Sequence, residues 1–216
     1  KNEVNIAKFD TRAKQSKFVL KKILDNKDES IAVLYRNNIS SIIIANELSS
    51  NNIDFYIKED KNKFFNNFVV LDVIAFLKLS LNPYDKESFS RIYYKSYTYF
   101  SKMMCNFILN NSYSKLTVFN KLERYSDLNK NNIKNIKRFK KDLEIVSKQS
   151  PDEAVEYIKN EMEYIEYLDR LDEEGRVNYS NALLMLEILK EIGSHCLTIS
   201  HFLDEIEKLN IKIKES

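Results

Sequence analysis

Few residues of this chain combine the types and spacing that catalysis or metal binding requires. His195, Cys196 and His201 are the only histidines and cysteines that lie close together in the sequence. Three ligands leave a structural zinc site one ligand short, so we interpret these residues as packing residues and expect no metal site. The acidic stretch 161–174 alternates with apolar residues, as an amphipathic helix does, and we interpret its carboxylates as a solvated face.

The sequence also lacks the phosphate-binding loops of nucleotide hydrolases. With 2 glycines among 216 residues, neither a GxxxxGK[ST] loop nor a GxGxxG turn is possible. Two distant cysteines argue against a disulfide scaffold, and a hydrophobic content of 44% is that of a globular protein. No apolar run is long enough to span a membrane, and residues 1–5 do not resemble a signal peptide. We therefore expect a cytoplasmic protein without a membrane partner.

Charge is unevenly distributed along the chain. Residues 1–100 carry a net charge of +4, residues 101–150 carry +7 and residues 151–216 carry −9. A basic block beside an acidic one would orient a polyanion along one face of the protein. Solvated helix faces would give the same sums, and both interpretations remain open.

Strand and helix patterns alternate in residues 1–66, whereas the rest of the chain shows only helical patterns. Apolar runs at 31–36 and 53–57 predict two strands, with a helix over 42–49 between them and another helix over 11–24; residues 5–9 are a further short strand candidate. Beyond residue 66, helical periodicity predicts a mainly α structure. The expected helices cover residues 69–81, 86–94, 98–110, 115–125, 131–148, 151–171, 176–192 and 198–209.

Several motifs in the first half of the chain occur in a recognisable order. Ile31-Ala32-Val33-Leu34-Tyr35-Arg36-Asn37-Asn38 precedes the segment Ile53–Ile57, and Phe64-Phe65 precedes Leu71-Asp72-Val73-Ile74-Ala75-Phe76-Leu77-Lys78-Leu79. Asn82-Pro83-Tyr84-Asp85 and Ser88–Ile92 follow. This series resembles the fourth conserved motif, the aromatic pair, the KD-containing helix and the NPxD turn of UvrD/Rep/PcrA-type superfamily I DNA helicases. Looser similarity extends through Glu174-Gly175-Arg176 and Phe202–Ile206.

The resemblance implies a fragment with two parts. Residues 1–66 would be a partial α/β segment, a strand–helix–strand unit of an incomplete RecA-like motor domain 2A that contains motif IV. Residues 67–216 would be the helical 2B-like insert. The parent protein would be an ATP-dependent 3′–5′ DNA helicase that uses ATP and Mg²⁺ and binds single-stranded DNA and duplex junctions. The fragment alone would bind no cofactor and would be inactive.

The resemblance also implies roles for individual residues. Arg36 matches the family arginine that contacts the γ-phosphate of the nucleotide, a role that suits the fixed charge and forked donors of a guanidinium. Without the resemblance, an arginine after a strand is a surface or structural residue. The DNA-binding candidates are Lys61, Lys63, Lys95, Tyr97, Tyr99 and Lys102.

Glycines that the family carries are absent at two places. Residues 58–63 replace the usual glycine pair before the aromatic pair, and residues 93–102 replace a glycine-bearing hairpin that approaches duplex phosphates. Residues 93–102 would either hold phosphates and stack on bases, or form a buried aromatic cluster. This departure motivates an alternative function, a degenerate helicase-like scaffold that binds protein partners through the insert. The helicase part of a recombination nuclease is a further alternative. DNA repair is one candidate pathway, beside replication and recombination.

Overall fold

The computed structural model of this chain describes residues 4–26, 28–35, 38–58, 63–110 and 115–216. These residues form two compact units. Unit 1 comprises residues 1–64 and 205–216, and unit 2 comprises residues 65–204. The helices are α1 (Arg12–Asp25), α2 (Ser41–Ser50), α3 (Phe68–Leu81), α4 (Lys86–Ile92), α5 (Lys102–Asn110), α6 (Val118–Leu122), α7 (Lys130–Val146), α8 (Pro151–Asn160), α9 (Tyr164–Glu173), α10 (Tyr179–Gly193) and α11 (Ile199–Glu215).

Unit 1 contains α1 packed against α2, a short 3-10 turn before α2, and the end of α11. Thr11 caps α1 by accepting a hydrogen bond from the Lys14 amide at 3.2 Å. The buried residues of α2 include three consecutive isoleucines, Ile42, Ile43 and Ile44. Both helices of this unit therefore lie where the apolar pattern predicts them.

The predicted strands of unit 1 are absent, so the expectation of a strand–helix–strand unit is wrong for the part of the chain that is described. Residues 31–35 and 53–57 adopt no strand there, and neither do residues 5–9. A strand is stabilised by a ladder of hydrogen bonds to a neighbour, and an isolated pair is marginal in water. No such ladder covers these segments, and Leu34 is 94% exposed. The period-two pattern of Ile53, Phe55 and Ile57 does appear as alternating burial.

Unit 2 is built around α3, which packs against α4, α7, α8 and α10. The Asn67 side chain accepts a hydrogen bond from the Val69 amide at 2.9 Å and caps its start. The helix ends at Leu81, before Asn82-Pro83, because a proline disfavours the helical conformation of the residue before it. Thus the mainly α prediction for this part of the chain is confirmed.

Aromatic rings fill the core of unit 2. Phe76 of α3 is fully buried and makes edge contacts with Phe139 and Tyr164, with ring centroids 6.4 and 5.8 Å apart. Phe139 of α7 also contacts Phe100 and Phe119 at 6.0 and 6.1 Å. These rings join α3, α7, α9 and the segments between them into one core.

Helix boundaries differ from the sequence prediction where the backbone leaves the helical region. The single helix predicted over 151–171 is two helices, because Glu163 adopts a left-handed conformation with φ of 60°. At the end of α9, Gly175 has φ of 67°, and the Arg176 amide donates to the Leu171 carbonyl at 2.9 Å, as in a glycine-terminated helix cap. The helix predicted from residue 98 begins at Lys102, and the last helix extends to Glu215. No helix among the described residues is long and apolar enough to cross a membrane.

Phe76→Ala should lower the free energy of unfolding by about 3–5 kcal/mol, because the ring is fully buried and the cavity cannot be refilled by water. The matched control is Leu81→Ala on the same helix, since Leu81 is 42% exposed and should cost far less. Urea unfolding of both variants measures the difference. Equal losses would contradict the placement of α3 at the centre of the core.

Candidate nucleic-acid interface

Residues 93–102, here called the tyrosine segment, contain four of the six DNA-binding candidates. This segment leads from the end of α4 to the start of α5 in unit 2. Its interior is held by two buried carboxylates, Asp72 on α3 and Asp142 on α7. The partners of these carboxylates decide which side chains of the segment remain exposed.

The first anchor is Asp72, whose side chain is wholly buried. The Lys95 ammonium donates to both carboxylate oxygens at 2.7 and 2.8 Å, and the Tyr164 hydroxyl donates at 2.9 Å. Arg91 Nε lies 2.8 Å from Oδ1 and adds a second positive charge. Burial raises the pKa of Asp72, while Lys95, Tyr164 and Arg91 oppose that shift. Burial also raises the pKa of Tyr164 well above 10, which keeps its hydroxyl a donor.

The second anchor is Asp142. The hydroxyls of Tyr97 and Tyr157 donate to its two oxygens at 2.5 and 3.1 Å. Burial and the bond to Asp142 raise the pKa of Tyr97, and they raise the pKa of Tyr157 to about 12. The Arg138 guanidinium lies 3.5 Å above the Tyr97 ring and 3.6 Å from the carboxylate. Tyr97 is therefore both capped and hydrogen-bonded inside the unit.

Side chains that bond to backbone carbonyls fix the segment between these anchors. The side-chain amide of Asn135 on α7 donates to the carbonyls of Tyr97 and Thr98 at 3.3 and 3.1 Å. The Thr98 hydroxyl donates to the Tyr93 carbonyl at 2.6 Å. The turn is thus set by α7 and by its own side chains, without a glycine.

The structure separates the predicted DNA-binding residues into two groups. Lys95 is 8% exposed and Tyr97 is 5% exposed, so the ammonium is committed to Asp72 and the ring to the core. For these two residues the observed burial fits the buried aromatic cluster, one of the two alternatives that the sequence left open. Tyr99, by contrast, is 62% exposed, and Lys102 is exposed at the start of α5.

The other candidates precede unit 2. Lys63 is exposed in the turn before Phe65. Lys61 and Arg36 lie outside the residues that the structure describes. Within the described residues, no group of histidine, cysteine, aspartate or glutamate side chains is placed to hold a metal ion.

A row of lysines on α7 is a basic feature that the sequence analysis located only as a charged block. Lys130, Lys134, Lys137 and Lys141 are all exposed. Their spacing places them on one face of the helix, opposite the buried face that carries Phe139. We call this row the α7 lysine stripe. Among the described residues no carboxylate forms an ion pair with it, and its i, i+4, i+7 spacing is the signal from which it could have been predicted.

Comparison with known proteins identifies the class. Residues 1–215 match the family model of the UvrD-like helicase C-terminal domain. Since this match covers almost the whole chain, the chain belongs to that family of helicase domains, and the resemblance found in the sequence is confirmed.

A particular relative is the ATP-dependent DNA helicase Rep of Buchnera aphidicola subsp. Acyrthosiphon pisum (strain APS). It is 29% identical over an alignment of 177 residues, and the match covers 79% of this chain and 27% of the relative. The chain thus spans about a quarter of the length of that helicase.

The Asp72 cluster generates a stability prediction. Asp72→Leu should lower the free energy of unfolding by about 3–5 kcal/mol, because it leaves the buried Lys95 ammonium without its partner. Lys95→Met should cost less, because Arg91 and Tyr164 still face the Asp72 carboxylate. The double variant should recover part of the loss, since two apolar side chains need no counter-charge. Urea unfolding of the two singles, the double and the exposed control Lys78→Met measures this. Losses that simply add in the double variant would contradict the pairing.

Proposed function

We propose that this chain is part of an ATP-dependent 3′–5′ DNA helicase or translocase. It would supply the start of the second motor domain and the inserted helical subdomain. The observation that carries the proposal is the match of residues 1–215 to a helicase domain family. The parent protein would bind ATP and Mg²⁺ through residues outside this chain, and the chain alone would not hydrolyse ATP.

Arg36 would be the contribution of this chain to the nucleotide site. Its support is the motif Leu34-Tyr35-Arg36-Asn37 and the family membership. A guanidinium beside the γ-phosphate stabilises the charge that builds on the transferred phosphoryl group. Because that charge is greatest in the transition state, the interaction acts on turnover more than on nucleotide binding.

Arg36→Ala in the full-length helicase should therefore reduce kcat for ATP hydrolysis about 100-fold or more and leave ATP affinity nearly unchanged. The measurements are DNA-stimulated ATPase turnover and equilibrium binding of a fluorescent ATP analogue. Arg12→Ala, on exposed helix α1, is a matched control. Near-normal turnover of Arg36→Ala would refute the role.

The DNA-contacting surface of the insert would be the α7 lysine stripe, together with Lys102. The stripe is exposed, lies opposite the core and has no ion-paired acid among the described residues. Four positions spread over 11 residues of helix extend about 16 Å, enough to meet several phosphates of a DNA backbone. Such contacts position DNA without reading its sequence.

DNA affinity should therefore fall steeply with salt, and the stripe should set the slope. A Lys134→Gln, Lys137→Gln, Lys141→Gln variant should lower the slope of log K against log salt by up to about 2.7, since each phosphate contact contributes about 0.9. The control carries the same charge change on α1, as Lys14→Gln, Lys17→Gln, Lys21→Gln. Fluorescence anisotropy with forked DNA at several salt concentrations measures both.

One observation favours the second candidate function, a helicase-like scaffold for protein partners. Lys95 and Tyr97 lie inside unit 2 and offer no surface to a phosphate. Binding to forked DNA that is undetectable at low salt, or equal in the stripe variant and its control, would favour the scaffold. If the parent protein were the helicase part of a recombination nuclease, this chain would bind DNA in the same way. The two parent proteins would differ only in segments outside this chain.

A further inference from the structure

A cleft beside the tyrosine segment is not used by the contacts described above. Its volume is ≈ 380 Å³, and the lining residues on which the argument depends are Tyr94, Tyr99, Tyr167, Arg170, Glu174 and Arg176. We call it the tyrosine cleft. It combines the rings of three tyrosines with two guanidinium groups. Tyr94 and Tyr99 are 43% and 62% exposed, which shows that the cleft opens to solvent.

Tyr99 is held in this cleft by an unfavourable backbone conformation. Its φ is 46°, in the left-handed region, which for a residue with a bulky side chain is sparsely populated. The neighbours impose it, because the Asn135 side chain of α7 donates to the Thr98 carbonyl at 3.1 Å and Phe100 is buried at 3% exposure. The strained residue is thus the one whose ring projects out of the segment. Strain maintained at an exposed aromatic residue is a feature of ligand sites.

Arg170 contacts both the hydroxyl and the ring of Tyr99. Its Nη1 donates to the Tyr99 hydroxyl at 3.0 Å, and its guanidinium carbon lies 5.6 Å from the ring centroid. Tyr94 also lines the cleft and meets Tyr167 edge-on, with ring centroids 5.8 Å apart. Arg176 lines it as well and pairs with Glu174 at 3.1 Å. The Tyr99 ring is thus fixed in direction while much of its surface faces solvent.

This combination suits one chemical class of ligand. An aromatic face held in solvent stacks on an unpaired base, because every base offers a π surface. Nearby guanidinium groups donate hydrogen bonds to the phosphates that flank the base. The α7 helix connects this site to the lysine stripe. Asn135 and Arg138, which hold the tyrosine segment, lie on the side of α7 between the stripe and the core.

We propose that the tyrosine cleft binds an unpaired nucleobase of single-stranded DNA, stacked on Tyr99, with the flanking phosphates near Arg170 and Arg176. This inference depends on the proposed DNA-contacting function of the insert. It assigns the unpaired strand to the cleft and the backbone to the stripe.

The test is photocrosslinking of this chain to a single-stranded oligonucleotide that carries 5-iodouracil, with the crosslinked residue mapped by mass spectrometry. The expected crosslink is to Tyr99. Tyr99→Leu, which keeps the apolar bulk but removes the ring, should lose the crosslink and weaken single-strand binding about 5- to 150-fold, the range expected for one base–aromatic stack. Tyr99→Phe should bind within about twofold of the unaltered chain. Blunt duplex should be little affected by either change.

Two further variants provide a second test of the cleft and a control. Arg170→Gln leaves the Tyr99 backbone unaltered and should also weaken single-strand binding. Tyr84→Leu changes a tyrosine that is 51% exposed and does not line the cleft, and it should have no effect. If the chain binds DNA in a salt-dependent way, but Tyr99→Leu leaves that binding unchanged and no crosslink to Tyr99 forms, the assignment of the cleft is wrong. The proposed DNA-contacting function of the insert would still stand. An unaltered chain that binds no DNA at low salt would overturn both.

Discussion

A carboxylate removed entirely from water is the constraint on which unit 2 depends. Asp72 lies on the central helix, and its charge must be met inside the protein because burial of an unpaired carboxylate costs several kcal/mol. Lys95, Arg91 and Tyr164 meet it, and the last lies 92 positions along the chain. Such a cluster adds little stability over apolar packing. We interpret its role as selecting a single packing arrangement, because only one arrangement of α3, α4, α9 and the tyrosine segment brings all members of the cluster together.

Tyrosine suits this architecture because it fills a core and still donates a hydrogen bond. Tyr164 packs its ring on Phe76 and gives its hydroxyl to Asp72, while Tyr97 and Tyr157 give theirs to Asp142. The two carboxylates therefore organise aromatic rings as well as charges. Their combined effect is a segment whose middle is buried and whose Tyr99 emerges at a defined place. The same interactions that stabilise the core thus determine which ring is presented to solvent.

The sequence predicted the helices of residues 67–216 well, because each buries an apolar face with helical spacing. It missed the break at Glu163, since a left-handed residue leaves no periodic signal when buried Met162 and Tyr164 flank it. The strand predictions failed because an apolar run reports burial potential, whereas a strand needs a hydrogen-bonded neighbour. The candidate site was predicted as a segment but not residue by residue. Nothing local distinguishes Lys95, whose partner Asp72 is 23 positions away, from Lys102, which remains exposed.

The absence of glycine from the tyrosine segment changes the kind of contact that this surface can make. A glycine hairpin binds phosphates through backbone amides, which requires close approach without side chains. In this chain, side chains occupy that space, and Asn135 and Arg138 hold the segment against α7. Under the proposed DNA-binding function, the contacts would therefore come from charged and aromatic side chains, namely the α7 lysine stripe and Tyr99. Asp72 and Asp142 hold Lys95 and Tyr97 inside unit 2, whereas Arg170 holds the Tyr99 hydroxyl at 3.0 Å, so the glycine-free segment presents a ring where a glycine hairpin would present its amides.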